Sequence, residues 1–316
     1  MNAATAILRA FYQSPGQFLR PDELAGALHF APATVNAELE ELQKLGYVIE
    51  SHPLLGYRLS ESPDRLTAED IQARLTTNVI GREILVFEET SSTNDVVERL
   101  AADKSGEGLV VFAESQTKGR GRHGRAWVSP RGKGLWFSVL LRPSLPVGAM
   151  SRITVAASVA VARAVRATSG VDARIKWPND VMVNGRKLAG ILTELSGGVA
   201  ILGIGIDVNC RGDEVPEVAT SLFVETGESQ DRAALAARVL MELDVLYRLA
   251  VEDFESVTRE WAGLCTTLGR QIVVMMGNRR IEGCAQALDG DGALLLRKDN
   301  GQIERLVGGD LTVERV

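Results

Sequence analysis

Lys118-Gly119-Arg120-Gly121-Arg122-His123-Gly124-Arg125-Ala126-Trp127 is the stretch on which the fold turns. Gly119-x-Gly121-x-x-Gly124 matches the dinucleotide fingerprint, which would make the chain a doubly wound nucleotide-binding fold. That fingerprint works only where it opens a helix directly after a strand. Here Trp127-Val128-Ser129-Pro130 follows, then Gly132 and Gly134, and this continuation is a loop. No Walker A pattern occurs either. Between residues 114 and 134 stand six basic residues, one acid (Glu114) and five glycines. Glycines let a backbone approach a ligand closely, and arginines offer forked donors to phosphate and carboxylate. The whole chain carries a net charge of −6, so bulk charge gives no support to nucleic-acid binding. The local excess predicts a loop for a polyanion such as a nucleoside triphosphate; a merely flexible, solvated loop is the alternative.

Outward from the loop, the 316 residues are too many for one ordinary core and predict two or three domains. Ile7, Leu8 and Phe11 repeat at helical spacing. Arg20-Pro21-Asp22-Glu23 reads as a helix start with an apolar face of Leu24, Ala27 and Leu28, and Ala31-Pro32 opens a helix that carries Val35, Leu39 and Leu42 and stops at Gly46. Two short strands, 47–50 and 56–59, follow. Helix, turn, helix, hairpin is the winged helix-turn-helix order, expected over 1–62, with a polar break at Glu61-Ser62-Pro63-Asp64. From 63 to 267 strands and helices mix, including strands at 109–113 and 135–140 and an Ala/Val-rich helix from Ile153 to Ala167. Amphipathic helices are expected at 232–250 and 251–264. From 268 to 316 short alternating runs are punctuated by Gly277-Asn278, Asp289-Gly290, Asp291-Gly292 and Asn300-Gly301, which predicts a small β-barrel. The expected class is thus a multidomain α+β chain. No signal pattern and no apolar run of about 18 residues is evident, which predicts a cytoplasmic protein with no membrane partner. Three widely spaced cysteines, Cys210, Cys265 and Cys284, give neither a disulfide framework nor a zinc site.

Three further segments carry chemistry. In Lys176-Trp177-Pro178-Asn179-Asp180 a lysine at a strand end precedes a rigid turn, placing a point charge for carboxylate or phosphate. On this segment alone a structural turn with a snorkelling lysine is the better reading. Gly203-Ile204-Gly205-Ile206-Asp207-Val208-Asn209 puts two glycines in a strand, either for close approach of a ligand or for twist. Ser91-Ser92-Thr93-Asn94 precedes a helix at 95–102, as an N-cap cluster or a polar binding edge.

Taken together, the order and spacing of these motifs resemble the bifunctional biotin–protein ligases, the biotin ligase/repressor family, over nearly the whole chain. The specific signatures are the Gly-Arg-Gly-Arg-x-Gly-Arg run and Lys-Trp-Pro-Asn-Asp; Leu188-Ala189-Gly190-Ile191-Leu192 and Ala219-Thr220-Ser221-Leu222 are weaker support. The resemblance implies a central mixed α/β ligase domain with a class II synthetase-like sheet and a C-terminal SH3-like barrel. It implies that biotin and ATP are bound with Mg²⁺, that biotinyl-adenylate forms, and that biotin passes to a lysine of a biotin carboxyl carrier domain. By the same resemblance, Ser92, Thr93, Asn94 and Gln116 line the biotin pocket, and Gly190, Gly203 and Gly205 lie near the ring and tail. Arg120, Gly121 and Arg122 hold the biotin carboxylate and the adenylate phosphate, with Arg122 and Lys176 as the catalytic pair. Arg125, Trp127, Asn179 and Asn209 attend the nucleotide. Asp180 is a candidate base for the acceptor amine. A homodimer and operator DNA are implied partners. The family strand resembles Ile-Asn-Val-Asn, whereas Asp207 stands here.

Two competing classes share features. A lipoyl or octanoyl attachment enzyme has the same expected fold, but 119–125 and 176–180 look biotin-type. A ligand-sensing regulator without catalysis is opposed by an intact Arg122 and Lys176. The repressor half meets a charge argument. Residues 1–62 hold four basic and seven acidic side chains, a net −3, and the recognition helix carries Glu38, Glu40 and Glu41 with only Lys44. Phosphate neutralisation drives most DNA affinity, so weak binding, or binding that needs dimer pairing, is expected.

Overall fold

The computed structural model describes residues 2–103 and 105–313. The side chains of Ala27 and Leu28 lie outside the described residues, as do residues 314–316 at the end of the expected barrel, and of the expected apolar face only Leu24 is described, as a buried side chain. The chain divides into two compact units: Met1–Thr76 with Asp231–Ala237, and Thr77–Gln230 with Arg238–Val316.

In the first unit, α1 (Ala3–Gln13) starts at Asn2, whose side chain accepts from Thr5 N at 2.9 Å. Helices α2 (Pro21–Leu28) and α3 (Pro32–Lys44) both start with proline in the first turn, where the missing N–H costs nothing. Gly46, at φ +98°, turns the chain into the hairpin β1 (Val48–His52) and β2 (Gly56–Glu61). Ile7, Leu8, Phe11, Val35, Leu39 and Leu42 form its core with Tyr47 and Ile49. The helix α4 (Ala68–Arg74) belongs here too. Arg9 donates to the carbonyls of Gln72 and Ala73, and Tyr12 donates to the buried carboxylate of Asp70 at 2.5 Å.

The second unit is built on a seven-stranded sheet. Its strands are β3 (Glu83–Phe87), β4 (Leu109–Ala113), β5 (Gly134–Leu141), β6 (Arg174–Lys176), β7 (Asp180–Val183), β8 (Arg186–Ser196) and β9 (Val199–Asp207), in the order β3-β4-β5-β9-β8-β7-β6. Only β3 and β4 pair in parallel. Side chains alternate between faces along a strand. Val199 and Ile201 of β9 pack with Val96 and Val97 of α5 (Thr93–Ala102) on one face. On the other, Thr193 of β8 meets Thr154 of α6 (Ser151–Ser169) at 2.7 Å. The stretch Val147–Ser169 is long and apolar enough, by length and composition alone, to cross a membrane, although Arg152, Arg163 and Arg166 interrupt its apolar run. Most of α6 is buried as the core helix beneath this sheet.

Past the sheet come α7 (Leu222–Thr226), α8 (Arg232–Glu252) and α9 (Phe254–Leu264). α9 begins three residues later than the sequence suggests, because Asp253 breaks the chain there and caps the helix through Ser256 N. The C-terminal strands β10 (Gln271–Met276), β11 (Arg279–Leu288), β12 (Leu294–Arg297), β13 (Ile303–Leu306) and β14 (Asp310–Val313) form an antiparallel sheet in the order β13-β12-β11-β10-β14.

Candidate functional site

The cavity opens where side chains disappear from one face of the central sheet. Along β9 the residues in phase with Val199 and Ile201 are Gly203, Gly205 and Asp207. Gly205 pairs with Gly190 of β8, so two facing positions present bare backbone. The indole of Trp127 covers that patch: a Cβ at Gly205 would lie 2.6 Å from the ring, and one at Gly190 2.9 Å. A Cβ at Gly203 would collide with the Asn94 carboxamide. Ligand-sized space of about 500 Å³ lies over this floor. Of the residues singled out in the sequence, it brings together Ser92, Thr93, Asn94, Gln116, Arg120, Gly121, Arg122, Arg125, Trp127, Lys176, Asn179, Gly190, Gly203 and Gly205.

One wall is a hydrogen-bonded polar cluster. Gln116 Oε1 accepts from Thr93 N at 2.9 Å and from Thr93 Oγ1 at 3.2 Å, while its Nε2 donates to Ser129 Oγ at 2.9 Å. Asn94 Oδ1 accepts from Ser138 Oγ at 2.5 Å, and Asn94 Nδ2 donates to Glu194 Oε2 at 2.6 Å. The helix α5 is therefore not side-chain capped by Ser92, as the N-cap reading supposed. Gln116, brought in from the basic loop, satisfies the first-turn N–H instead. Ser92, Thr93 and Asn94 are all buried, so their polar groups serve the cavity wall rather than the solvent.

The charges are not equivalent. Arg120 reaches the cavity, but Glu194 holds its guanidinium through Nε at 3.1 Å and Nη2 at 2.8 Å, and Asp95 through Nη1 at 2.5 Å. These carboxylates raise its pKa further above the usual arginine range and neutralise its charge in place. Arg120 is thus a tie between loop, α5 and β8, and the expectation that it holds the ligand carboxylate must yield to its internal partners. Among the described residues, no ion pair or hydrogen bond occupies the Lys176 ammonium at the cavity edge, which leaves that charge to a ligand. Arg122 Nη1 lies 3.3 Å from Asn179 Oδ1 and 3.4 Å from Gly309 O. The loop bearing it is closed by Gly121 N donating to Arg125 O at 2.7 Å. Asn179 also donates to Ile191 O at 2.7 Å, which fixes the turn after the cis Trp177–Pro178 bond against β8.

Asn209 is not brought to the cavity. It lies beyond β9, where its carboxamide accepts from Gln230 N and donates to Gln230 O at 2.9 and 3.1 Å, bracing the following loop. Asp207 holds the cavity position instead. Burial pushes its carboxyl up to about 7, against the opposing effects of the Cys210 thiol and Lys187. Sequence reasoning missed Lys187, whose ammonium stands 5.1 Å over the Trp127 ring and 2.6 Å from Asp180 Oδ1. The signal was available, since Lys187 lies three residues before Gly190. Asp180, considered as a base, has its carboxylate engaged by that lysine. Glu194 and Ser138 were also missed, because each acts from a neighbouring strand with no motif around it. Among the described residues, the buried Trp127 Nε1 has no acceptor.

A cavity that combines a hydrogen-bonding polar wall with the Lys176 and Arg122 cations suits a ligand with polar groups together with an anion. Comparison with known proteins gives this chemistry names. Residues 86–209 match the biotin/lipoate A/B protein ligase family, and residues 267–311 the biotin protein ligase C-terminal domain. The bifunctional ligase/repressor BirA of Bacillus spizizenii is 34% identical over 315 residues, 96% of this chain and 97% of that protein. The biotin–[acetyl-CoA-carboxylase] ligase of Mycobacterium tuberculosis is 34% identical over 244 residues, 74% of this chain and 92% of that protein. The structure of the biotin protein ligase from Aquifex aeolicus in complex with biotin and ATP aligns with a TM-score of 0.66 at 30% identity, covering 74% of this chain and 100% of that one.

Proposed function

This chain belongs to the biotin protein ligase family, and we propose that its cavity joins biotin to ATP and delivers the biotinyl group to a lysine of a carrier domain. The observation that carries this reading is the single cavity that combines the Thr93–Asn94–Gln116 wall, the Gly190–Gly205 floor and the Lys176 ammonium. The wall offers both donors and acceptors, as a ureido ring requires. The Gly190–Gly205 floor lets the Trp127 indole lie flat against the sheet, and the space beside it would take a ring and an apolar tail.

The first step sets two anions against each other, the biotin carboxylate and the α-phosphate it attacks. Lys176 and Arg122 would offset that repulsion by fixed positive charge in a partly dry cavity. Lys187 becomes a third cation if it leaves Asp180 for phosphate. Pyrophosphate departs and a mixed anhydride, biotinyl-adenylate, remains. Trp127 and its loop would shield that anhydride from water. The acceptor amine then attacks the acyl carbon and AMP leaves. Among the described residues, no group of three or more metal-ligating side chains exists. Asp207 would offer a bound Mg²⁺ a carboxylate in this cavity. When bound, the ion would supply further charge neutralisation.

The finer architectural readings belong to the same proposal. Three helices followed by a two-stranded hairpin support a winged helix-turn-helix, and the two antiparallel-rich sheets support the synthetase-like and SH3-like assignments. So do a cytoplasmic setting, where ATP is available, homodimer formation through the central sheet, and operator DNA as a partner of the N-terminal unit. ATP–pyrophosphate exchange tests the ligase reading. Exchange stimulated by biotin and not by lipoate is expected; stimulation by lipoate alone overturns it.

A further inference from the structure

The C-terminal sheet reaches the cavity: Gly309 and Leu311 line it alongside Arg122 and Asn179. The contact is close and specific. Arg122 Nη1 lies between two oxygens from distant parts of the chain, Asn179 Oδ1 at 3.3 Å and the carbonyl of Gly309 at 3.4 Å. The neighbouring Gly308 has no side chain to spare, since a Cβ there would lie 2.5 Å from Arg122 Nη2. The backbone that does this is itself pinned. β14 pairs with β10 from Met275↔Asp310 onward, and at Gly309, φ +145°, an added Cβ would collide with the Val274 side chain. The guanidinium therefore rests on a fixed peptide edge, whereas the loop that carries Arg122 is a single 3₁₀ turn with His123 at φ +57°.

We propose that the Gly308–Gly309 edge of the C-terminal sheet positions the Arg122 guanidinium, so that this sheet is a working part of the adenylation site. Its carbonyl accepts from Nη1 and its bare α-carbon leaves room for Nη2. Asn179 completes the cradle from the other side. Gly308 and Gly309 are positioning residues; the group they act through is Arg122. The inference rests on the reading of Arg122 as the cation facing the nucleotide phosphate.

The test is Gly308→Ala in the full chain. Gly308 is outside the positive-φ region, and among the described residues the side chain its Cβ would meet is the end of Arg122. The variant should fold and merely displace the guanidinium. In biotin-dependent ATP–pyrophosphate exchange its kcat/KM for ATP should fall about 10- to 100-fold, the scale of an ångström-sized misplacement. KM for biotin should stay within about twofold, since the wall that would bind the ring is untouched. Gly290→Ala, in the turn between β11 and β12 with nothing within 4 Å of its Cβ, should leave exchange and thermal midpoint unchanged. In an Arg122→Ala background, Gly308→Ala should add nothing. Wild-type exchange in Gly308→Ala, or a loss that persists undiminished on top of Arg122→Ala, overturns the inference. Equal damage to biotin and ATP kinetics overturns it as well. The two failures separate cleanly: wild-type exchange in Arg122→Ala itself sinks the catalytic reading of that residue, whereas an impaired Arg122→Ala beside an unimpaired Gly308→Ala sinks only the positioning role.

Discussion

Replacing Asp207 by asparagine should remove a pH dependence from the stability of the second unit. Asp207 is 6% exposed at the end of β9. Its Oδ1 takes only a long contact, 3.8 Å, from the Cys210 thiol, and burial pushes that thiol up to about 12, so it stays protonated. Burial also raises the Asp207 carboxyl from 3.8 to about 7. The folded chain therefore holds a proton that the unfolded chain has already lost. Stability contributed by this group is complete below about pH 4 and declines as pH rises to about 7, after which it is level. Each pKa unit is worth about 1.4 kcal/mol, so the decline amounts to about 4 kcal/mol at most. Asparagine, neutral and of the same shape, has no such slope. At this domain size 1 kcal/mol moves a thermal midpoint by about 2–4 °C. The gap between variant and wild type should thus open by about 10 °C between about pH 4 and pH 7.5, because every other titrating group cancels in the difference. Thermal midpoints of both chains across that range give the answer. Parallel curves with a constant offset would refute a buried, titrating Asp207.

Lys176→Ala should cut biotin-dependent exchange by about 10²- to 10³-fold while the thermal midpoint holds, as for loss of a charge aimed at the transition state; wild-type exchange would refute its role. Gly203→Ala should push the Asn94 carboxamide aside and raise KM for biotin several-fold with KM for ATP unchanged, read by exchange kinetics at varied biotin. Trp136, fully buried beneath the Trp127 edge, should cost about 3–5 kcal/mol on replacement by alanine, read by chemical unfolding. Fluorescence titration with promoter DNA, in the presence of biotin and ATP, should show weak binding by the acidic N-terminal unit; tight sequence-specific binding at physiological salt would contradict the charge argument.

Much of the fold was legible because its signals are local. Pro21 and Pro32 mark helix starts, Gly46 marks a stop, and the Gly-containing turns after 277 mark hairpins. The two glycines at 203 and 205 were legible as a strand feature, with ligand approach and twist both open, but only pairing with β8 reveals that Gly190 faces Gly205. Asn209 shares the phase of Asp207, and only the end of β9 at Asp207 separates the two. Arg120 shows the limit of motif reasoning. Its place in the loop is legible, but the two carboxylates that neutralise it come from α5 and β8, one of them 74 residues away in sequence. Gly308 was hidden for the same reason, since nothing local tells which distant side chain a backbone edge will meet.

The most direct test of the central claim is mass spectrometry of a biotin carboxyl carrier domain incubated with this protein, ATP and biotin. The account predicts one biotinyl group on one lysine of the carrier, with AMP and pyrophosphate formed in equal amounts and no transfer when Lys176 is alanine. A carrier left unmodified while the protein is folded, or one modified by lipoate in place of biotin, would contradict it.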